Sequence, residues 1–272
     1  TKNGGITPWS VVSDYCIGDV HKGNDVFSFV IVAPHDTTEN ICEYIAGAAP
    51  KDLKNTNKVP LGLVQYLACE VPVTFSVSFV MRRDAALLRN YLSVEAMSAL
   101  VAGAISFLDD RLSLYQDARD IDYHQSAIKR LSAFKRDLSH KNVNAKLARQ
   151  IHLVAAMVAT LCNMLNQAVS ARAIRWISDR DALFERHDAV VSDLAYVYYL
   201  TQAIELTTPE QRETQNIGSS LATLRFEIPE KTGKHRFDEL IRLPDYLAGT
   251  LADLDSETMA VSKEKFDVVL HS

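Results

Sequence analysis

Four aspartates lie where the chain is expected to pass the centre of a β-sheet, and carboxylates at such places can bind divalent cations. Asp14 lies inside a short apolar, strand-like run. Asp179 and Asp181 directly follow a later run of this kind, and Asp245 follows a proline. A charged group buried among apolar residues is costly unless it is paired or binds a cation. We therefore take Asp14, Asp179, Asp181 and Asp245 as candidate metal ligands, and the first, second and fourth of them as candidate catalytic residues.

A set made only of carboxylates indicates a particular chemistry. Mg²⁺ and Mn²⁺ prefer oxygen ligands, which aspartate supplies without help from cysteine or histidine. Two such ions held about 4 Å apart can activate a water molecule and stabilise the leaving oxygen of a phosphodiester. The sequence therefore predicts a site that binds one or two Mg²⁺ or Mn²⁺ ions and cleaves phosphodiester bonds.

Each acid also has a structural explanation. Ser178 and Asp181 have the spacing of a capping box for the helix that follows. Asp245 could favour the positive end of its own helix, and Asp14 could mark a hairpin or edge position. These alternatives stay open at the level of the sequence.

Small residues follow Asp245 at helical spacing. Ala248, Gly249 and Ala252 lie one and two turns after it, on nearly the same face. Small side chains allow a helix to approach a sheet closely, so we expect this helix to carry Asp245 toward the strand ends.

The elements that must position these acids alternate between strands and helices, which predicts an α/β fold. Three strands come first, and Val73, Phe75, Val77 and Phe79 are expected to form one buried face of the third. The last helix is expected to begin at Pro244, because proline suits the first helical position. The predicted strands are Ser10–Ile17, Val26–Val32, Val71–Met81, Arg172–Ser178 and Ser220–Ile228; the predicted helices are Glu39–Ala46, several from Asp84 to Leu138, Asn144–Ala171, Ala182–Leu206 and Pro244–Asp255.

Three short motifs together resemble a large bacterial family of unknown function with a ribonuclease-H-like fold. They are SDY at Ser13–Tyr15, WISDRD at Trp176–Asp181 and RLPDYLAGTLAD at Arg242–Asp253, of which the last is similar to the family's closing "LADYLAG"-like helix. The resemblance implies a mixed five-stranded, ribonuclease-H-like sheet flanked by helices. It also implies a divalent-metal site and nuclease activity, with ligands at Asp14, Asp179 and Asp245.

The chain departs from the family at two points. Ser-Asp-Tyr stands where the family usually has residues like Asp-Glu-Ser-Gly, which removes one acid. Only Glu95 is available for the fourth acid that ribonuclease-H enzymes often place on their first long helix.

We expect one domain over residues 1–272, with a large helical insertion over residues 84–171. The insertion would shape substrate access or form a homodimer. Its most apolar stretch, Ile151–Val169, is interrupted by polar residues and is too polar for a membrane span. This stretch is expected to pack in the core or to be buried in a homodimer.

Basic residues within the insertion are candidates for contact with nucleic acid. They are Lys129, Arg130, Lys135, Arg136 and Lys141, in a chain whose formal net charge is -5. A stripe of this kind can follow a phosphate backbone, although a solvated helix face explains it equally well in physical terms. The sequence does not distinguish RNA from DNA. His187 could act as a general base or lie at the surface.

Composition narrows the class of protein. The acidic net charge argues against a protein that coats nucleic acid over its whole surface. The four cysteines are far apart, which does not favour disulfides or a zinc ribbon. The first residues form no apolar segment like that of a signal peptide, so we expect a cytoplasmic protein with no membrane partner.

Three hypotheses follow from the sequence. The first is a metal-dependent nuclease that acts through the aspartate cluster. The second is a catalytically inactive module of the same fold that binds or assembles with a partner. The third is an unrelated α/β enzyme in which the acids are structural.

Overall fold

A computed structural model of the chain describes residues 7–83, 87–187, 189–206, 221–227 and 237–271. The first residues of the chain and both ends of the predicted strand Ser220–Ile228 lie outside these ranges. The chain divides into two compact units, the first formed by Thr1–Ala85, Ala171–Asp179 and Ala222–Ser272, and the second by Ala86–Ser170 and Arg180–Leu221. The second unit contains most of the predicted insertion and also residues 180–221.

The described elements follow one another from strands to helices and back. In chain order they are β1 (Trp9–Cys16), β2 (Asn24–Val32), α1 (Thr38–Ala48), a 3₁₀ turn (Leu53–Asn55), α2 (Leu61–Leu67), β3 (Thr74–Arg82), α3 (Leu87–Asn90), α4 (Val94–Leu112), α5 (Ala118–Leu138), α6 (Ala145–Val169), β4 (Ala173–Ser178), α7 (Ala182–Glu185), α8 (Val190–Leu206), β5 (Thr223–Glu227), α9 (Asp238–Asp253) and α10 (Glu264–Leu270).

The first unit is built on a five-stranded mixed sheet with the order β3-β2-β1-β4-β5. β1 pairs antiparallel with β2, and β2 pairs antiparallel with β3. β1 pairs parallel with β4, and β4 pairs parallel with β5. The expected α/β architecture, a mixed five-stranded sheet flanked by helices, is thereby confirmed.

One face of this sheet packs against helices of the first unit. Val12, Val30 and Ile177 share a buried core with Ile241 and Tyr246 of α9, and apolar residues of α1, α2 and α10 join it. β2 is buried along its whole length. It lies in the interior of the sheet, which explains why its sequence is a nearly continuous apolar run.

β3 departs from the expected alternation. Phe75, predicted to be on a buried face, is 46% exposed, whereas its neighbour Thr74 is buried. β3 lies at one edge of the sheet and pairs only with β2 in the sheet order. An edge strand has fewer neighbours to cover it, so an alternating sequence does not guarantee a buried face.

α9 begins earlier than the sequence predicts. It starts at Asp238, and Pro244 lies inside it instead of at its first position. Proline lacks an N–H group and costs the helix one hydrogen bond. The buried side chains of Leu240, Ile241 and Leu243 lie in the turn before Pro244, and their burial compensates for the lost bond.

The predicted helix Ala182–Leu206 is two helices, α7 and α8. The chain between them includes Ala189, which has a φ angle of 62°. A left-handed residue of this kind interrupts the helical hydrogen bonds, and an alanine there gives no sign of it in the sequence.

The second unit is helical. α6 packs along α8, and α4 packs along α5. α6 alone among the described helices is long and apolar enough to cross a membrane by these two criteria, and 61% of its most apolar stretch is buried in the structure. Its many buried side chains, among them Ile151, Val158 and Leu165, agree with the expected core helix.

Candidate functional site

Asp14 and Asp179 lie next to each other on neighbouring parallel strands. Ser13 of β1 is in register with Ser178 of β4. The Asp179 amide then donates a hydrogen bond of 3.0 Å to the Ser13 carbonyl oxygen, which continues the ladder by one step. The carboxyl ends of β1 and β4 therefore bring an aspartate each to the same level of the sheet.

Asp14 lies on the face of the sheet that α9 covers. Val12 and Cys16, two residues before and after it, both pack against residues on this face. Because side chains alternate along a strand, the side chain of Asp14 belongs to the same face. Its cross-strand partner is Ser28, whose hydroxyl is 2.9 Å from that of Ser78, so a polar row crosses the sheet here.

Asp245 lies in the middle of α9, not in its first turn as the sequence predicts. One of its carboxylate oxygens accepts a hydrogen bond of 2.8 Å from the Leu53 amide at the start of the 3₁₀ turn. The explanation that Asp245 serves the positive end of its helix is therefore wrong, because α9 begins at Asp238.

The carboxyl group of Asp245 is destabilised in its charged form. Burial is the main cause that raises its pKa, and the charges of Asp52 and Asp179 raise it further. The Leu53 amide and Lys54 act in the opposite direction but do not cancel the effect. Asp245 and Asp179 therefore lie close enough to repel each other, and a bound cation would relieve this repulsion.

The small residues after Asp245 serve two contacts. Ala248 and Ala252 are fully buried and pack with Val26 and Cys16 of the sheet, which confirms that this stripe lets α9 approach the strands. Gly249 faces the 3₁₀ turn instead. A Cβ atom at Gly249 would clash with the side chain of Leu53.

Side chains from α9 and α10 hold the segment that contacts Asp245. The hydroxyl of Tyr246 donates to the carbonyl oxygen of Lys51, and Arg242 donates to that of Ala49. Lys265 donates to the carbonyl oxygens of Leu53 and Thr56, at 2.8 and 2.9 Å. Both backbone groups of Leu53 are therefore held: its N–H group binds Asp245, and its carbonyl oxygen binds Lys265.

The donors at this site are of the kind that Mg²⁺ and Mn²⁺ bind, since Asp14, Asp179 and Asp245 offer only carboxylate oxygens. Among the residues that the structure describes, no group of three or more histidine, cysteine or acidic side chains is arranged to hold a metal ion. The donor type thus fits a hard cation, and Asp179 is close enough to Asp245 for its charge to raise the pKa of Asp245.

Asp181 belongs to the second unit, where it caps a helix. Its carboxylate accepts a hydrogen bond of 2.8 Å from the Leu183 amide at the start of α7. Asp181 therefore caps α7, but as the N-cap residue itself and not as the second member of a capping box. Ser178, the expected first member of that box, is the last residue of β4, and its hydroxyl donates a hydrogen bond to the Tyr15 hydroxyl. Glu95 lies in the first turn of α4 in the same unit, and hydrogen bonds from its own amide and from Ser93 lower its pKa.

The basic candidates differ in how they are used. Lys129, Lys135, Arg136 and Lys141 are exposed. Arg130 instead binds both carboxylate oxygens of Asp193 at 2.8 Å, and the Asp193 side chain is 1% exposed. The guanidinium of Arg130 is therefore committed to the interior of the second unit.

His187 packs against the second unit through its ring. The ring lies 4.8 Å from that of Phe134, and its Nδ1 lies 3.7 Å from a carboxylate oxygen of Asp137. Burial lowers the pKa of His187, and the charge of Asp137 partly opposes this. The ring is thus held in place and largely neutral at pH 7.

The sequence did not indicate two parts of the first-unit site. These are the 3₁₀ turn, whose Leu53 amide binds Asp245, and Lys265, which anchors that turn. Both depend on contacts between distant segments, so no local spacing could have revealed them.

Comparison with family models, with curated proteins and with solved structures finds no match to the chain. The assignment of a function therefore rests on the geometry of the chain itself.

Proposed function

We propose that the chain is a nuclease with a ribonuclease-H-like fold that cleaves phosphodiester bonds with Mg²⁺ or Mn²⁺. The observation that carries the proposal is a pair of acids at the carboxyl ends of two parallel strands, with a third acid within electrostatic range of one of them. Asp14 and Asp179 are adjacent there, and Asp245 reaches the same region from α9, within electrostatic range of Asp179.

The topology of the sheet supports the fold assignment. The order β3-β2-β1-β4-β5, antiparallel from β3 to β1 and parallel from β1 to β5, is a mixed five-stranded sheet of the kind that the resemblance to ribonuclease-H-like proteins implies. In open α/β sheets, ligands bind beyond the carboxyl ends of parallel strands where the chain connections diverge. Asp14 and Asp179 lie at such a point.

Each residue would have a defined role. Asp14, Asp179 and Asp245 would hold the cations, which supply an activated water and stabilise the leaving oxygen. The Leu53 amide would fix the orientation of Asp245, and Lys265 would anchor the 3₁₀ turn beside it. Exposed lysines and arginines of α5 would contact the phosphate backbone.

The test compares three variants of the full chain. Wild type is expected to cleave at least one of single-stranded RNA, single-stranded DNA, duplex DNA and an RNA–DNA hybrid in the presence of Mn²⁺. Asp14→Asn and Asp245→Asn are expected to reduce the rate by at least about a hundredfold, since each removes a charged ligand. Glu43→Gln, an exposed acid of α1 in the same unit, is the matched control and should keep full activity.

Melting temperature gives an independent measurement. Mn²⁺ should raise the Tm of wild type and of Glu43→Gln, because a cation that binds only the folded state stabilises it. The two aspartate variants should show a much smaller rise. Wild-type cleavage by both aspartate variants would refute the site assignment.

One observation favours a second function, that of a catalytically inactive binding module. In the part of the chain that the structure describes, no three histidine, cysteine or acidic side chains are grouped so that they could hold a metal ion. This alternative predicts no cleavage of any of the four substrates and no rise in Tm with Mn²⁺. Nucleic acid would then be bound without being cut.

A further inference from the structure

A second site candidate lies entirely within the second unit. A cleft of about 510 Å³ is lined by residues from the end of α5, the start of α6 and the turn between them, and by Arg186 and His187, which follow α7. Its volume is within the range of pockets that bind small ligands. The buried rings and methyl groups of Phe134 and Ala148 contribute to its lining, and polar side chains form the rest.

The polar lining is rich in cations and in hydrogen-bond donors. Lys141 and Arg186 line the cleft, together with His140 and His187. Within the described residues, neither Lys141 nor Arg186 takes part in an ion pair. These two charges are therefore not used to hold the unit together, unlike that of Arg130.

The acidic part of the lining is small. Asp137 is the acid among the described lining residues, and it lies beside Nδ1 of His187 at 3.7 Å. Counted over its lysine, arginine and acidic side chains, the described lining carries two positive charges, from Lys141 and Arg186, and one negative charge, from Asp137. The cleft therefore favours an anion.

The start of α6 adds to this preference. Asn144 caps the helix by accepting a hydrogen bond from the Leu147 amide, at 3.1 Å, through its side-chain oxygen. Its side-chain NH₂ group is a further hydrogen-bond donor, as is that of Asn142, and both residues line the cleft. The positive end of a 25-residue helix is directed to the same place.

We propose that this cleft binds the phosphate of a nucleotide, with Lys141 and Arg186 as its principal ligands. The volume accommodates one nucleotide, and the two asparagine amides can form hydrogen bonds with a base or sugar. The phosphate could belong to a free nucleoside monophosphate or to the 5′ end of a nucleic acid strand. The choice of a nucleotide rests on the proposed function, whereas the preference for an anion does not.

The experiment measures binding by fluorescence anisotropy in EDTA, so that metal-dependent binding at the first-unit acids is absent. Two 3′-labelled single-stranded DNA decamers are compared, one with a 5′-phosphate and one with a 5′-hydroxyl group. The phosphorylated strand is expected to bind about tenfold more tightly, because charge-assisted hydrogen bonds contribute this much or more. Competition with unlabelled AMP then distinguishes the two sources of phosphate. Displacement by AMP indicates a site for free nucleotides, and its absence indicates a strand end.

Lys141→Gln and Arg186→Gln are expected to abolish the preference for the 5′-phosphate. Lys129→Gln changes an exposed lysine of α5 that does not line the cleft, so it should lower the affinity for both strands equally and leave the preference for the 5′-phosphate unchanged. Equal binding of the two strands by wild type would overturn the proposal, and so would a preference that survives both cleft substitutions.

Failure of the proposed nuclease remains distinguishable. Asp245→Asn should keep the 5′-phosphate preference even though it loses metal-dependent cleavage. If the protein prefers the 5′-phosphate but cleaves none of the substrates, the proposed cleft site is supported and the proposed nuclease activity is refuted.

Discussion

Among single residues, Asp245 shows most clearly that a candidate functional side chain can lower the stability of the fold. Its carboxylate is buried, repelled by Asp52 and Asp179, and stabilised by the Leu53 amide. The raised pKa means that the charged form is less favourable in the folded chain than in the unfolded one. A residue kept in such a place is typical of a functional site more than of a structural one.

Asp245→Asn is therefore expected to stabilise the metal-free protein. Asparagine removes the buried charge and can still accept the hydrogen bond from Leu53 through its side-chain oxygen. A gain of about 1 kcal/mol corresponds to a rise in Tm of about 2–4 °C in a chain of this size. Calorimetry in EDTA measures this, and a lower Tm for the variant would show that the charge stabilises the fold.

Substitution of Arg130 is expected to have the opposite effect and to lower stability. Its bidentate bond with Asp193 is in the interior of the second unit, and Asp193 also interacts with Tyr123. Arg130→Ala leaves a buried carboxylate without its main partner, which costs about 3 kcal/mol. Lys129→Ala, one residue earlier and exposed, should change stability by less than about 0.5 kcal/mol. Chemical denaturation of both variants checks the difference, and equal effects would contradict the assigned role of Arg130.

At the level of elements, the close approach of α9 to the 3₁₀ turn depends on Gly249. Gly249→Ala would place a methyl group against Leu53, the residue whose amide holds Asp245. Overpacking of this kind costs about 1–3 kcal/mol, partly offset by the better helix propensity of alanine.

We expect Gly249→Ala to lower stability by about 1 kcal/mol. Gly47→Ala in α1 is the matched control, because a Cβ atom there meets nothing within 4 Å. That control should raise stability by about 0.5–1 kcal/mol, since alanine is the better helix former. Urea denaturation of the two variants gives the comparison, and a stabilising Gly249→Ala would show that the 3₁₀ turn adjusts freely.

The sequence predicts the strands better than the helix ends, for a physical reason. β1, β2 and β4 are short apolar runs bounded by polar residues, and such runs are set by local composition. The start of α9 is set instead by burial of Leu240 and Leu243 against other segments, which outweighs the preference of Pro244 for the first position. The break before α8 depends on a left-handed alanine that has no local signature.

The candidate site is predictable in part. The sequence identifies Asp14, Asp179 and Asp245 as candidates, because each lies in or beside a predicted strand or before a row of small residues. The register that aligns Ser13 with Ser178, and the bond from Leu53 to Asp245, join residues more than 160 positions apart. Contacts at such separations depend on the whole fold.

For the molecule as a whole, acid is expected to destabilise the second unit before the first. Burial lowers the pKa of His152, on α6, from 6.5 to about 4. The unfolded chain therefore binds a proton that the folded chain resists, so stability decreases as the pH falls from 6.5 toward 4. In the first unit the pKa of Asp253, which Lys22 contacts, is lowered. The stability that this carboxylate contributes is therefore lost only as the pH falls below about 3.8, the ordinary pKa of an aspartate.

The expected loss from His152 is about 2 kcal/mol at pH 5 relative to pH 7.5. His152→Gln should show a correspondingly smaller loss, and His140→Gln, an exposed histidine, should behave like wild type. Hydrogen exchange at the two pH values locates the effect. Amides of α6 and α8 should lose protection at pH 5 while those of β1 and β2 keep it. The reverse order would contradict this assignment.

The first unit is assembled from three separated stretches of chain, and each stretch contributes one of the three acids. During translation, β1 and its aspartate leave the ribosome long before α9 is synthesised. The apolar residues of the sheet that α9 covers, such as Val12 and Val30, are therefore exposed in the nascent chain and are natural targets for a chaperone. A nascent chain that lacks α9 also lacks one of the acids, so the proposed activity can arise only late in synthesis.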